Sequence, residues 1–345
     1  MPETSYRGRR AVNLENAALR LTVTREGGHI AEIFDKAAGV NPLWSPPWPS
    51  VEPSAYDVAR HPEYGGNAES KLLAGILGHN LCLDLFGGPS PEEAAAGMTV
   101  HGEASVAPYE IAAAGDELTL RTELPAAQLR FTRWIELHAR AVRIVEIVEN
   151  LGVCDRPIAW TQHVTLGPPF LERGSTEFRA PATRSKVFEQ PFGAHDRFPA
   201  GAEFDWPFAP PEGEDLRRFT AHPHSNAYTT HLMDPARDDA FFVAFSPAHR
   251  LAFGYVWKRA DFPWLGIWEE NCSRTAPPWN GHTLARGMEF GVSPIPESRR
   301  AMIERGRLFG VPAYRWVPAR SSVRAEYWAV LQAADAVPEK LAAPA

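Results

Sequence analysis

The sequence predicts an all-β protein built as one large antiparallel β-sandwich, and three observations carry that expectation. Many short runs are rich in β-branched and aromatic residues and are separated by turn formers. Only two stretches, 89–97 and 299–308, read as helices, and both are short. No strand–helix alternation is visible, which argues against a doubly wound α/β fold. The 32 prolines and 26 glycines fit a chain of many turns. No composition shift marks a linker and no internal repeat is found. One domain is therefore expected over 1–345, with peripheral tails at 1–14 and 333–345.

The elements follow in order. "AALRLTVTREGGHIAEIFD" (17–35) sets Leu19, Leu21 and Val23 on one side and Arg20, Thr22 and Thr24 on the other, a half-buried strand. Gly27-Gly28 makes a turn and "HIAEIFD" returns. "NPLWSPPWPSVEP" (41–53) holds five prolines, so it predicts an irregular surface segment whose Trp44 and Trp48 rest on the main body. "PSPEEAAAG" (89–97) predicts a short helix capped by Ser90 with carboxylates in its first turn. "ELTLRTEL", "QLRFTRWIELHA" and "VRIVEIVENLG" read as strands, with Arg133 interrupting the apolar phase of Leu129, Phe131, Ile135 and Leu137. "IAWTQHVTLG" (158–167), "AFFVAFS", "RLAFGYVWK" and "PWLGIWEEN" are further strands. "RRAMIERGRL" (299–308) is a short helix, and a strand pair ends near Leu331 before the loosely docked "AADAVPEKLAAPA".

Composition excludes several classes of function. The formal net charge is −7 and no Lys/Arg run stands out, so a nucleic-acid partner is not expected. No run approaches the roughly 18 apolar residues of a membrane span. "MPETSYRGRR" lacks the apolar core of a secretion signal. Cys82, Cys154 and Cys272 are far apart and form no metal pattern, which suggests free thiols and a cytoplasmic setting. The phosphate-loop, dinucleotide, HExxH and GxSxG motifs are absent.

Local patterns leave a handful of candidates. "GMTVHGEAS" (97–105) places His101 and Glu103 around a glycine at what reads as a strand end, Met98 to Val100. His163 in "WTQHVTLG" and Glu289 in "ARGMEFGVSP" each sit in a strand-like run, with Gly287 and Gly291 allowing close approach to the glutamate. Alone, each histidine is more often a hydrogen-bonded core or rim residue, and the glutamate a solvent-side carboxylate. Trp264 and Trp268, four apart, share a strand face and suit the apolar side of a sugar ring, or equally a core. Trp160 and Trp279 are weaker aromatic candidates. His222 and His224 in "HPH" could ligate a metal as in cupins. The glutamate that pattern needs is missing, and His231 lies too far along.

Taken in order, these pieces resemble the aldose 1-epimerase (galactose mutarotase-like) superfamily over roughly 15–330. "ENAALRLTVTREGGHIAEIFD" is similar to that family's opening hairpin. "MTVHGEAS" is similar to its first histidine motif and "VENLGVCDRPIAWTQHVTLG" to its second. "FPWLGIWEENC" is similar to a late strand that faces substrate, and "GMEFGVSP" to the strand bearing its glutamate. The resemblance implies a large antiparallel β-supersandwich with a monosaccharide on its concave face and no metal or organic cofactor. It implies catalytic roles for Glu289 as general base, His163 as general acid and His101 as the histidine that holds the sugar near its ring oxygen. It makes Glu103 a rim carboxylate rather than half of the acid–base pair.

This sequence also departs from the family. In "LGHNLCLD", His79 and Asn80 are candidates for sugar binding, but Leu81 stands where the family has an arginine. The family's sugar-binding aspartate has no counterpart, and His224 or Asn226 would serve in its place. Two other readings stay open: a carbohydrate-binding protein without catalysis on the same fold, and a cupin-like metal enzyme using His222 and His224.

Overall fold

The computed structural model describes residues 3–191 and 193–344. Among these, two large antiparallel sheets dominate. The first has 11 strands. Its centre runs, in spatial order, Ile30–Asp35, His79–Leu83, Trp160–Leu166, Leu284–Gly291, Trp264–Asn271 and Ser225–Met233. The second has eight strands, with Asp239–Ser246, Leu251–Lys258, Ser322–Ala333, Ala141–Asn150 and Leu129–His138 adjacent in that order. The architecture is the all-β supersandwich expected from the sequence. The expected hairpin pairs Leu19–Thr24 with Ile30–Asp35, and both short helices form. Pro91–Ala95 carries a full capping box between Ser90 and Glu93, and Arg299–Arg305 is capped by Ser298.

The main core lies between the sheets. Strand alternation explains who enters it. Trp160, Val164 and Leu166 point inward from one sheet and meet Phe131, Ile144, Val148, Phe253 and Tyr327 from the other. Gln162 has the same inward phase, and so does Arg133, which the sequence pattern read as an interruption. Arg133 is 1 % exposed and pairs at 2.8 Å with the fully buried Glu146. Trp160 Nε1, Gln162 Nε2 and the Tyr327 hydroxyl also donate to that carboxylate, at 2.8, 2.7 and 2.6 Å. A buried charge is tolerated when its partners are this complete.

The outer face of the large sheet is covered as well. Every residue of Trp160–Leu166 and Ser225–Met233 is buried. The cover is built from the proline-rich segment, the helix Ser70–Gly75 and the loop from Phe86 to Ser105. Trp44 and Trp48 pack against Trp268 and Trp279 with ring centroids 5.0–6.4 Å apart.

Three expectations need correction. Residues 3–15 are not a peripheral tail: Glu3–Tyr6 and Arg9–Glu15 are the edge strands of the large sheet, and Val12 and Leu14 enter the core. The C-terminal stretch is anchored by Leu341, 5 % exposed against Phe241, Val243 and Val256. The chain's last long element is one strand of 12 residues, Ser322–Ala333, rather than a pair. Its register is fixed on both sides by Ala141–Asn150 and Leu251–Lys258. Among the described residues no helix is long and apolar enough to cross a membrane.

Candidate active site

Register sets the centre of the site. His163 lies directly between Asn80 on one neighbouring strand and Glu289 on the other. All three therefore share the covered outer face, opposite in phase to Trp160 and Gln162. His163 Nε2 is 3.1 Å from Glu289 Oε1. Asn80 Nδ2 and the Thr165 hydroxyl lie 3.4 and 3.2 Å from His163 Nδ1. Both can donate to it, which leaves the Nε2 side turned to the carboxylate.

His101 arrives from the cover. Its ring centroid is 4.7 Å from that of His163. Met98–Val100 is not a strand end, as the sequence suggested, but the approach to a tight turn. His101 has φ +66°, a left-handed conformation rare outside glycine. Its amide donates to Gly87 O and its carbonyl accepts from Leu83, which holds the strained backbone. Gly102 follows with φ +77°, and a Cβ there would overlap the Leu83 carbonyl oxygen. Gly102→Ala is therefore expected to displace His101 and to destabilise the fold by about 1–3 kcal/mol. A denaturant melt together with the His101 imidazole NMR shifts checks this. Glu103 accepts from Ala126 and Ala127 and fixes the turn. It stays out of the cavity.

The three residues line one cavity of about 260 Å³. Trp268, Trp279, Tyr228, Arg274 and Glu69 also line it. Several buried polar atoms of these residues have no hydrogen-bond partner among the described residues: His101 Nδ1, Trp268 Nε1 and Glu289 Oε1, the last close to His163 Nε2 but outside hydrogen-bond geometry with it; Asn80 Oδ1, on the strand beside His163, is a fourth. Such orphans are uncommon in folded proteins and mark a place where a polar ligand completes the set. Gly287 gives the carboxylate its room, because a Cβ there would meet Glu289 Oε1.

Burial controls the charges. It pushes the Glu289 carboxyl well above the usual carboxylate range. It lowers His163 to about 4, and burial with the neighbouring His163 and His29 holds His101 well below the ordinary imidazole value. Both histidines are thus neutral near pH 7. An ionised Glu289 beside a protonated His163, the division expected from sequence, is not the resting state.

Of the expected sugar-binding residues Trp268 lines the cavity, while Asn80, His79, Trp264 and His224 do not. His79 points between the sheets, bonded to the Tyr255 hydroxyl at 2.9 Å and Gln162 Oε1 at 3.0 Å; strand alternation turns it away from Asn80. Trp264 shares the face of Trp268 but lies at the far strand end, packed with Leu232 and Leu308 and bonded to Pro312 O. His224 is exposed, with Nδ1 2.9 Å from Cys272 O. His222 is exposed in the same bend before Ser225–Met233, not on a strand. No group of three His, Cys, Asp or Glu suited to a metal occurs among the described residues, so the two have no third ligand. Asn226 is held by Asp196 and the His195 amide. Sequence reasoning missed Tyr228, Arg274 and Glu69. Tyr228 enters because it lies directly opposite Trp268, a cross-strand register that no local pattern reveals.

No family model matches this chain, and no curated protein matches it. Solved structures do match. A candidate aldose 1-epimerase from Klebsiella pneumoniae superposes with TM-score 0.66 at 15 % identity, covering 95 % of this chain and 80 % of that one. A galactose mutarotase-like protein from Clostridium acetobutylicum gives 0.63 at 14 %, covering 96 % and 98 %. A galactose mutarotase related enzyme from Lactobacillus acidophilus gives 0.60 at 11 %, covering 95 % and 99 %. At these identities the likeness establishes the fold.

Proposed function

We propose that a chain with this galactose mutarotase-like fold is an aldose 1-epimerase-like isomerase, interconverting the anomers of a monosaccharide by opening and reclosing its ring. One observation carries the reading: His163, Glu289 and His101 converge on a single cavity, where Glu289 Oε1 and His101 Nδ1 lack hydrogen-bond partners. Opening a cyclic sugar takes a proton from the O1 hydroxyl and gives one to the ring oxygen. Both oxygens are bonded to C1, so the acid and the base must sit close together. Nε2 and Oε1, 3.1 Å apart, meet that demand. Glu289 takes the O1 proton, His163 protonates the ring oxygen, and His101 holds that oxygen in place. After rotation about C1–C2 the roles reverse and the ring closes with the other hand. Each partner contributes on the order of 10²–10⁴-fold.

The pair works with one proton between its two members. Burial raises Glu289 and lowers His163, which favours that proton on the carboxyl. Sugar hydroxyls that hydrogen-bond the carboxylate favour its ionised form and shift the proton to His163. The sign of the pH dependence follows. kcat/KM falls below about pH 4, where His163 gains a second proton. It falls again on the alkaline side of the raised Glu289 value, where the shared proton is lost. The two limbs belong to the pair rather than to either residue. A profile with an acid limb alone and no alkaline limb would rule the shared proton out.

Saturation-transfer NMR on a panel of aldoses tests the activity itself. Exchange between anomeric signals above the buffer rate is the expected result. Saturable sugar binding with no exchange would instead identify a carbohydrate-binding protein.

A further inference from the structure

The cavity has two chemically different parts. One part holds the partnerless polar atoms, Glu289 Oε1, His101 Nδ1 and Trp268 Nε1. The other part, the walls, is hydrocarbon. Leu72, Leu73 and Ile76 come from the helix Ser70–Gly75 and its exit, and Phe86 and Val100 from the loop beyond it. The wall side has few polar groups, and they are engaged. The Tyr228 hydroxyl donates to Pro294 O at 3.3 Å. Arg274 is the sole Lys or Arg lining the cavity among the described residues. It lies 3.4 Å from Glu270 Oε2 and 3.8 Å from Glu69 Oε2, with its guanidinium 4.7 Å from the Trp279 ring centroid.

Two consequences follow for the ligand, given that the cavity is a sugar site as proposed above. The polar part can serve O1, the ring oxygen and, through Trp268 Nε1, one further hydroxyl, and little else. A hydroxyl on a remote carbon that enters the walls loses its water and finds no fresh partner. A methyl group there buries apolar surface instead. A negative substituent fares worse, since two carboxylates already flank the one cation at the mouth. We infer that the cavity takes an uncharged aldose with an apolar group on the carbon remote from C1, the class of the 6-deoxyaldoses.

The test compares matched sugars on the unaltered protein. Each series holds ring stereochemistry fixed and varies the remote carbon: the parent hexose, its 6-deoxy form, its 6-phosphate and its uronate. Galacto, gluco and manno series are measured, with binding read by calorimetry and anomer exchange by NMR. In at least one series the 6-deoxy sugar should exceed its parent by about tenfold or more in affinity and kcat/KM. The phosphate and uronate should stay at the buffer rate. A parent hexose equal to or better than its deoxy partner in every series overturns the inference, as does preference for a charged sugar. Exchange would then persist and the isomerase proposal would survive. Preferential binding of a 6-deoxy sugar without exchange would support the inference and remove the isomerase proposal. No binding in any series would overturn it.

Discussion

Glu289→Gln is expected to lower anomer exchange by on the order of 10²–10⁴-fold while sugar affinity changes little. The amide keeps the shape and hydrogen-bonding capacity of the side chain but cannot take the O1 proton. Stability should move the other way. Burial raises the folded-state pKa of Glu289. Its contribution to stability is therefore full below the unfolded value of about 4.3 and is lost as pH rises through the raised folded value. Glutamine has no proton to lose, so the variant should melt no lower than the parent at neutral pH. A variant that is more stable and far less active separates a catalytic carboxyl from a structural one. Retained turnover would show that the base lies elsewhere.

Arg133→Ala is expected to be the most damaging change to the fold, at about 3–5 kcal/mol. Glu146 would keep its three neutral donors but lose its counter-charge in a fully buried position. The guanidinium also donates to Gly28 O at 3.0 Å, so the turn of the first hairpin loses an anchor. The double variant Arg133→Met with Glu146→Gln should recover part of the loss, because it removes both charges while the amide oxygen still accepts from Trp160 Nε1 and Gln162 Nε2. Urea denaturation of the single and double variants measures this. A loss under about 1 kcal/mol for Arg133→Ala would mean that water reaches the pair.

The two predictions show where the sequence speaks and where it falls silent. Leu19, Leu21 and Val23 announce their strand because alternation is local information. Ser90 and Glu93 announce a helix start for the same reason. Arg133 shares the phase of Leu129, Phe131, Ile135 and Leu137, yet its charge made it look like a fault in the pattern. Its partner is 13 residues away on the next strand, and the other donors come from two more strands. The site divides similarly. His163 and Glu289 could be singled out by motif order, and the register that joins them is a cross-strand fact. His79 and Trp264 looked suitable by type. One is turned inward by strand phase, and the other lies a full strand end from the cavity. Tyr228 enters through its cross-strand register opposite Trp268, and Arg274 through the turn that follows Trp264–Asn271.

The cover over the large sheet divides the labour of change. The groups proposed to move protons, His163 and Glu289, stand on strands whose opposite faces are locked into the core. The groups that would decide which sugar fits, Leu72, Leu73, Ile76, Phe86 and Val100, stand on a short helix and a loop laid across the top. Drift in that overlay can alter taste for substrate without touching the sandwich or the proton relay. On the proposed function, a lineage carrying this fold can explore new sugars by rewriting residues 70–76 and 86–100, on either side of the strand His79–Leu83, and inherit the chemistry unchanged.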